Sequence, residues 1–184
     1  GHVSTSVVQL SKSISFGREY SSVTAGITKG LPEVDFNKIS KLVYDKTSEI
    51  GANKPYRFLI DCTPHPRHYA RKLVDRHITH FPNNAPGNKP ICVGHQYSVL
   101  TMLPEEKDEL SKRWLITISA HRVSSEEKGN ELGMRQVTES ISNLALSDNL
   151  CISIGDSLYG TEACRIEADK QKDLVHIFRS QFIF

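Results

Sequence analysis

The sequence lacks both a strong charge imbalance and a long apolar run. Its 184 residues carry 23 basic and 21 acidic side chains, which gives a net charge of +2 with neutral histidines. No global electrostatic field therefore indicates a nucleic-acid or membrane partner, and any basic surface must be local. No apolar stretch approaches the roughly 18 residues of a membrane span, so we expect no membrane partner.

Cysteine is scarce and dispersed, and the sequence has no internal repeat or low-complexity tract. The cysteines lie far apart and mostly within apolar runs, which favours reduced thiols over a secreted disulfide framework. They are Cys62, Cys92, Cys151 and Cys164. This pattern predicts a cytoplasmic protein. The chain opens with Gly1-His2 rather than methionine, so we expect a fragment.

The composition is that of a globular chain that can bury a core. Hydrophobic residues make up 38% and charged residues 24%, which excludes a disordered or collagen-like protein. Because a domain is typically about 150 residues long, we expect one compact domain with a small appendage. Residues 1–53 predict a helical N-terminal region, and residues 54–184 predict a domain that contains a sheet.

The N-terminal region contains one well-supported helix. Apolar residues recur at near-helical spacing after Asp35, which can serve as the N-cap. These residues are Phe36, Ile39, Val43 and Ile50. A weaker helix is predicted around Val7, Leu10 and Ile14, and residues 17–22 and 26–30 are predicted to be loops.

Residues 54–184 contain short apolar runs of strand length, bounded by Gly, Pro or charged residues. The predicted strands lie in 58–60, 91–103, 114–120, 150–154 and 174–178. Helices are predicted at 130–144 and 161–169, between the last three strands. Strands first and alternating helices later favour an α/β fold with a mixed five-stranded sheet flanked by helices.

A basic amphipathic helix is predicted over residues 65–76. At about 100° per residue, the basic side chains occupy one half of the helix and apolar side chains the other. The basic residues are Arg67, Arg71, Lys72 and Arg76. This face is either an ordinary solvated surface or a phosphate-contacting surface. Its position directly after Asp61 favours phosphate contact, hence DNA binding.

Two aspartates follow predicted strands and could carry chemistry. Asp61 ends the run Arg57-Phe58-Leu59-Ile60, and Asp156 follows Cys151-Ile152-Ser153-Ile154-Gly155. Ligands bind at the carboxyl ends of strands in open α/β sheets. Two carboxylates there would repel each other unless a cation such as Mg²⁺ or Mn²⁺ neutralised them, which is the arrangement that phosphoryl chemistry needs. Helix capping is the alternative role for each aspartate.

Four segments carry a family resemblance, in order and in spacing. They are RFLIDCTPHPRHYARKLVDR, GNKPICVGHQYSVLTMLP, WLITISAHRVSSEEKGNELGMRQV and LCISIGDSLYG. Together they resemble the transposases of bacterial insertion sequences that have an Asp-Asp-Glu (DDE) active site on a ribonuclease-H-like fold. The most specific parts are the D-x-T-P block at Asp61 and the D-x-x-Y signature at Asp156.

The resemblance implies a metal-dependent enzyme that hydrolyses DNA at transposon ends and joins it to target DNA. Asp61 and Asp156 would be catalytic and would bind Mg²⁺ or Mn²⁺. The implied partners are transposon-end and target DNA and, in the active complex, further copies of the chain. The implied location is the bacterial cytoplasm, in association with the nucleoid.

One departure from the family pattern limits this expectation. The family places its catalytic glutamate on a helix after the fifth strand, whereas this chain stops at Phe184 without such a helix. Glu162 and Glu167 belong to a different predicted helix, so neither replaces it. We therefore expect a C-terminally incomplete catalytic domain with weak metal binding and no turnover. The alternative is a catalytically dead DNA-binding remnant that competes at transposon ends.

Other residues have spacings or positions that would suit different chemistry. His65 with His68 and His77 with His80 have zinc-like spacing but lack cysteine-rich companions. A Cys62–His65 nucleophile pair is a further alternative, and His95 could lie near the metal. Trp114 and Tyr159 could stack on bases or belong to the core. Arg122, Lys128 and Arg135 could be a DNA surface or a solvated one.

Overall fold

The computed structural model describes residues 19–30, 35–48, 55–81, 89–103, 115–146 and 148–179. Contacts divide the chain into two compact units, residues 1–39 and residues 40–184, which are described separately. Among the residues described, no helix is long and apolar enough to cross a membrane.

The first unit contains short helical segments. Helix α1 spans Tyr20–Ala25 and is followed by a π-helical segment, Gly26–Gly30. The two loops predicted in this region are therefore wrong where the structure describes them. Within the π-helical segment, the Thr28 hydroxyl donates to the Thr24 carbonyl (2.9 Å). The helix predicted around Val7, Leu10 and Ile14 lies outside the described residues.

Helix α2 spans Phe36–Ser48 and confirms the helix predicted after Asp35. The Asp35 carboxylate accepts a hydrogen bond from the Lys38 amide (3.3 Å), which is the expected N-cap geometry. Within the second unit, Tyr44 packs against the core, and its hydroxyl lies 3.4 Å from Ser140 Oγ.

The second unit is built on one mixed sheet. Its strands are β1 Tyr56–Pro66, β2 His77–His80, β3 Ile91–Leu103, β4 Ile116–Val123, β5 Cys151–Gly155 and β6 Leu174–Phe178. β1 lies between β3, which is antiparallel to it, and β5, which is parallel; β6 is parallel to β5. β2 and β4 pair antiparallel with successive parts of β3. The predicted mixed sheet is confirmed, with the two aspartate-bearing strands as neighbours; the short β2 was not predicted.

Helices cover one face of this sheet. They are α3, Gly129–Asn143, and α4, Glu162–Ala168, which confirm the two helices predicted there. Phe58, Leu100 and Met134 are fully buried between sheet and helix. α3 approaches β1 closely at Gly133, where an added Cβ would lie 2.7 Å from Ile60 Cδ1. Only glycine fits this contact without displacing its neighbours.

The basic amphipathic helix predicted over residues 65–76 does not form. β1 continues through Pro66, which pairs with Gly94 of β3, and residues 67–76 form a series of turns. Pro64 and Pro66 favour extended backbone in the residues before them, so β1 continues past the predicted start of the helix. Two residues on the apolar side of the predicted helix remain exposed: Tyr69 is 96% exposed and Val74 is 78% exposed.

Candidate metal and nucleic-acid site

Asp61, predicted to end its strand, lies within β1, which continues through Pro66, and Asp156 directly follows the neighbouring strand β5. In the parallel pairing of β1 with β5, Leu59 is opposite Ile154. Continued two positions beyond this last pair, the same register would place Asp61 opposite Asp156, whose backbone is still extended (φ −78°, ψ −171°). Residues opposite each other on adjacent strands lie about 4.8 Å apart and present their side chains to the same face. The two carboxylates, both exposed, therefore share one face of the sheet.

The turn that follows β5 is held by hydrogen bonds. Asp156 caps the 3₁₀ turn Ser157–Tyr159 by accepting from the Leu158 amide (2.9 Å). Asn130, at the start of α3, donates to the Leu158 carbonyl (2.7 Å). The capping role considered for Asp156 thus exists, and it fixes the backbone from which the carboxylate projects.

His176 of β6 holds the other end of the same turn. Its Nε2 lies 3.1 Å from the Tyr159 carbonyl, and its Nδ1 lies 2.7 Å from Oγ of Ser153, which is fully buried. Because a carbonyl can only accept, Nε2 must carry a proton. In the neutral imidazole, Nδ1 then accepts from the Ser153 hydroxyl.

Cys62 faces the helices, on the side of the sheet opposite Asp61. Its Sγ lies 3.5 Å from the hydroxyl of Tyr159, which is 1% exposed. Burial raises the pKa of the Cys62 thiol, and the charges of Asp61 and Asp156 raise it further. Since strand side chains alternate between faces, Cys62 and His65 point to opposite sides. The hypothesis of a Cys62–His65 nucleophile pair is therefore wrong.

Residues 67–76, here called the basic loop, fold back over the face that carries Asp61. The Arg67 amide donates to the Val93 carbonyl (2.9 Å), and His95 Nε2 lies 2.9 Å from the Val74 carbonyl. His95 is opposite His65 on β1, and His65 shares the face of Asp61 because the two are an even number of residues apart. His95, 6% exposed, thus supports the loop.

The basic residues predicted to bind DNA have different surroundings in this loop. Arg76 donates to the carbonyls of Arg67 (3.2 Å) and His68 (3.0 Å), so it stabilises the loop itself. Arg71 and Lys72 are exposed and form no ion pair with another described residue. The loop therefore presents free cations, but contact of Arg67, Arg71, Lys72 and Arg76 with DNA stays a prediction.

Asp75 anchors the end of the basic loop, a role the sequence did not reveal. Its backbone has a positive φ of 59°, which aspartate tolerates better than most residues. Its carboxylate accepts from the Ser125 amide (2.9 Å) and lies 3.4 Å from the Arg122 guanidinium. The hydrogen bonds from Ser125, helped by the charge of Arg122, hold the pKa of Asp75 below its usual range. These partners lie too far along the chain for a local pattern to predict them.

Several other candidates have structural partners. Glu167 accepts from the Thr138 hydroxyl (3.0 Å), and Glu162 lies 3.8 Å from Arg165 on α4. Lys128 pairs with Glu131, and Arg135 pairs with Glu127. Tyr159 belongs to the core, whereas Trp114 lies outside the described residues.

Potential metal ligands do not cluster among the described residues. In the part of the chain that the structure describes, no group of three or more His, Cys, Asp or Glu side chains could hold a metal ion. The zinc hypothesis for the histidines at 65, 68, 77 and 80 therefore finds no support. Asp61 and Asp156 offer the hard oxygen donors that Mg²⁺ and Mn²⁺ prefer, but other groups would have to complete the coordination.

Apolar side chains occupy the aspartate-bearing face on β5 and β6. Ile152 is opposite Val175, and Ile154 is opposite Ile177. Ile154 is 38% exposed, and Val175 and Ile177 are each 48% exposed. Parallel strands are normally covered on both faces. These four residues, here called the outer apolar patch, therefore have the character of a surface that a further layer covers.

Comparison with known proteins found no matching family model, no matching curated protein and no matching solved structure.

Proposed function

We propose that this chain contains a partial ribonuclease-H-like catalytic domain of a DDE transposase, and that the complete protein cleaves DNA and transfers strands with the help of divalent metal. The observation that carries the proposal is the parallel pairing of β1 with β5 up to Leu59 and Ile154, because this register, continued by two residues, would bring Asp61 opposite Asp156 on one face. The order of the strands supports it, since the first three long strands are antiparallel and the last two are parallel to the first.

The chemistry of the donor pair fits a hard divalent cation. Two carboxylates on adjacent strands repel each other, and a cation between them removes that cost. When bound, Mg²⁺ or Mn²⁺ supplies activation of the attacking oxygen and stabilisation of the leaving oxygen. Asp61 and Asp156 would hold the ion. The hydrogen bond from the Leu158 amide to Asp156 Oδ1 orients one of the two donors in advance.

The outer apolar patch supports a third ligand from a further helix. An amphipathic helix that packed on Ile154, Val175 and Ile177 would lie next to Asp61 and Asp156, because the patch and the aspartates occupy one face of the same strands. The family resemblance places the catalytic glutamate on such a helix after the fifth strand. We propose that the complete protein supplies it, that residues 1–184 alone are catalytically incomplete, and that the active complex contains several copies.

The second candidate is a DNA-binding remnant without catalytic activity. The absence of a three-ligand cluster among the described residues favours it. Both candidates use the same sheet and the same basic loop, so they differ in metal binding and turnover.

Metal binding provides the first test. We expect residues 1–184 to bind Mn²⁺ weakly, as measured by electron paramagnetic resonance of the free ion, and to lose binding in Asp61→Asn and Asp156→Asn. Asparagine is preferable to alanine because its amide oxygen can still accept from the Leu158 amide. Asp148→Asn, at an exposed turn, is the matched control and should bind like the wild type. No binding by the wild type at high Mn²⁺ concentration would refute the metal site.

Turnover provides the second test. Residues 1–184 should not nick supercoiled plasmid DNA in Mg²⁺ or Mn²⁺, because two ligands do not fix the geometry of the ion. Metal-dependent nicking that disappears in Asp156→Ala would show that another carboxylate of this chain completes the site, and the claim of incompleteness would then be wrong.

A further inference from the structure

The side chain of Tyr69, in the basic loop, is almost fully exposed to solvent. Its side chain is 96% exposed, and its only described ring neighbour is His68, with ring centroids 6.4 Å apart in an edge-to-face arrangement. Tyrosine normally buries much of its ring. Exposing it costs hydrophobic free energy that a partner with a flat apolar surface would recover.

Hydrogen bonds order the backbone around Tyr69 in the basic loop. The Arg71 amide donates to the Tyr69 carbonyl (2.9 Å), and the Ala70 amide donates to the Arg67 carbonyl (3.2 Å). The Arg76 guanidinium donates hydrogen bonds to the Arg67 and His68 carbonyls. At the end of the loop, the Asp75 carboxylate accepts from the Ser125 amide. Because the backbone is already ordered, binding through Tyr69 would lose little conformational entropy.

The charges around Tyr69 indicate the kind of partner. Arg67, Arg71 and Lys72 are exposed close to it in the loop, whereas the one acidic residue of the loop, Asp75, is paired with Arg122. An exposed aromatic ring among unpaired cations matches a nucleic acid, which offers phosphates for the cations and base faces for the ring.

The position of the loop relative to the aspartates fits one continuous DNA molecule. From Asp61 to Pro66 the chain is a β-strand, so the loop begins about 17 Å from Asp61. A duplex rises about 3.4 Å per base pair, so the same DNA would reach both places within about five base pairs.

We propose that Tyr69 stacks on an unstacked base of the bound DNA, while Arg71 and Lys72 hold the neighbouring phosphates. This inference rests on the proposed function, since it takes DNA as the substrate. It adds a base-contacting residue that phosphate binding alone would not require.

The test uses residues 1–184 and two short duplexes, one fully paired and one with a single unpaired 2-aminopurine. Stacking quenches the fluorescence of 2-aminopurine, and anisotropy gives the affinity. The wild type should quench the unpaired base and bind the bulged duplex more tightly. Tyr69→Ala should lose the quenching and bind that duplex about 5-fold to 150-fold more weakly, the range for stacking on one base. Tyr69→Phe should behave like the wild type.

Two further variants separate stacking from charge. Arg71→Ala should weaken binding to both duplexes equally and reduce the salt slope by about 0.9, whereas Tyr69→Ala should leave the slope unchanged. Ile166→Ala, at a half-exposed apolar position on α4, should change nothing. If Tyr69→Ala binds and quenches like the wild type, the inference is overturned while the proposed function stands. If the wild type binds neither duplex at low salt, both are overturned. If Tyr69 acts as described but Mn²⁺ does not bind, only the catalytic proposal fails.

Discussion

The contact between Gly133 and the strand before Asp61 allows a quantitative prediction. In Gly133→Ala, the new Cβ would lie 2.7 Å from Ile60 Cδ1 and 2.9 Å from Tyr159 Cε1. Ordinary contacts between carbon atoms are about 3.5–4.0 Å, so both neighbours must move. Ile60 and Tyr159 are 4% and 1% exposed, which leaves them little room to do so.

The size of the effect follows from two opposing contributions. Overpacking of a tight core costs about 1–3 kcal/mol, and alanine gains about 0.8–1.0 kcal/mol over glycine inside a helix. The expected net loss in the free energy of unfolding is therefore about 1 kcal/mol. The same shift would displace Tyr159, whose turn carries Asp156, so Mn²⁺ binding should also weaken.

Urea denaturation followed by circular dichroism measures this loss, and a double-mutant cycle identifies its cause. Ile60→Val removes the Cδ1 atom and alone should cost about 0.5–1.5 kcal/mol. In that background Gly133→Ala should cost less than in the wild type. Gly26→Ala is the control, because an added Cβ there meets nothing within 4 Å. Strict additivity, or a Gly133→Ala protein more stable than the wild type, would refute the steric argument.

Three other predictions concern the core, the basic loop and the thiols. Phe58→Ala should lower the free energy of unfolding by about 3–5 kcal/mol in the same assay, because Phe58 is 0% exposed; a loss below that range would mean that the core collapses around the cavity. The lowered pKa of Asp75 means that its anchor stabilises the fold above the carboxyl pKa of the unfolded chain. This contribution is lost as the pH falls through the lowered pKa of Asp75 in the folded protein, so acid should reduce the free energy of unfolding less in Asp75→Asn than in the wild type. Identical dependence of that free energy on pH in the two proteins would contradict this. Changing Asp61 and Asp156 to asparagine should speed alkylation of Cys62 at pH 8, as followed by mass spectrometry, because burial raises the pKa of this thiol and the two carboxylate charges raise it further. Cys151, which is 1% exposed and has a pKa raised to about 11, should stay unreactive in both proteins, and an unchanged Cys62 rate would disprove the electrostatic coupling.

Much of the sheet could be predicted because its signals are local. The alternation of buried Tyr56, Phe58 and Ile60 with less buried neighbours marks β1, and apolar residues at helical spacing mark α3. The start of α2 also followed from a neighbouring residue, the Asp35 cap, whereas the end of β1 did not, because β1 continues through Pro66. Asp61 was predicted to end its strand but lies within β1, which continues through Pro66, and the approach of Asp61 to Asp156 stays a prediction.

The parts that were missed depend on competition or on distant partners. Between 65 and 76 the helical periodicity was present, but the two prolines and the pairing of β1 with β3 outweighed it. Asp75 depends on Ser125 and Arg122, and only the folded chain brings them together. The exposure of Tyr69 could not be predicted either, because its spacing is that of a residue on an apolar helix face.

The parallel pairing of β1 with β5 also has a consequence for folding kinetics. In the antiparallel pairings of β1 with β3 and of β3 with β4, the paired residues are comparatively close in sequence. The parallel pairing of β5 with β1 joins residues that are much further apart in sequence and so closes a longer loop of chain. Contacts of large sequence separation form slowly, because the loop entropy is lost before the pairing compensates for it. In a nascent chain, the strand that carries Asp61 would therefore form before β5 pairs with it. Asp156, which follows β5, would take its place only when the last part of the sheet is complete.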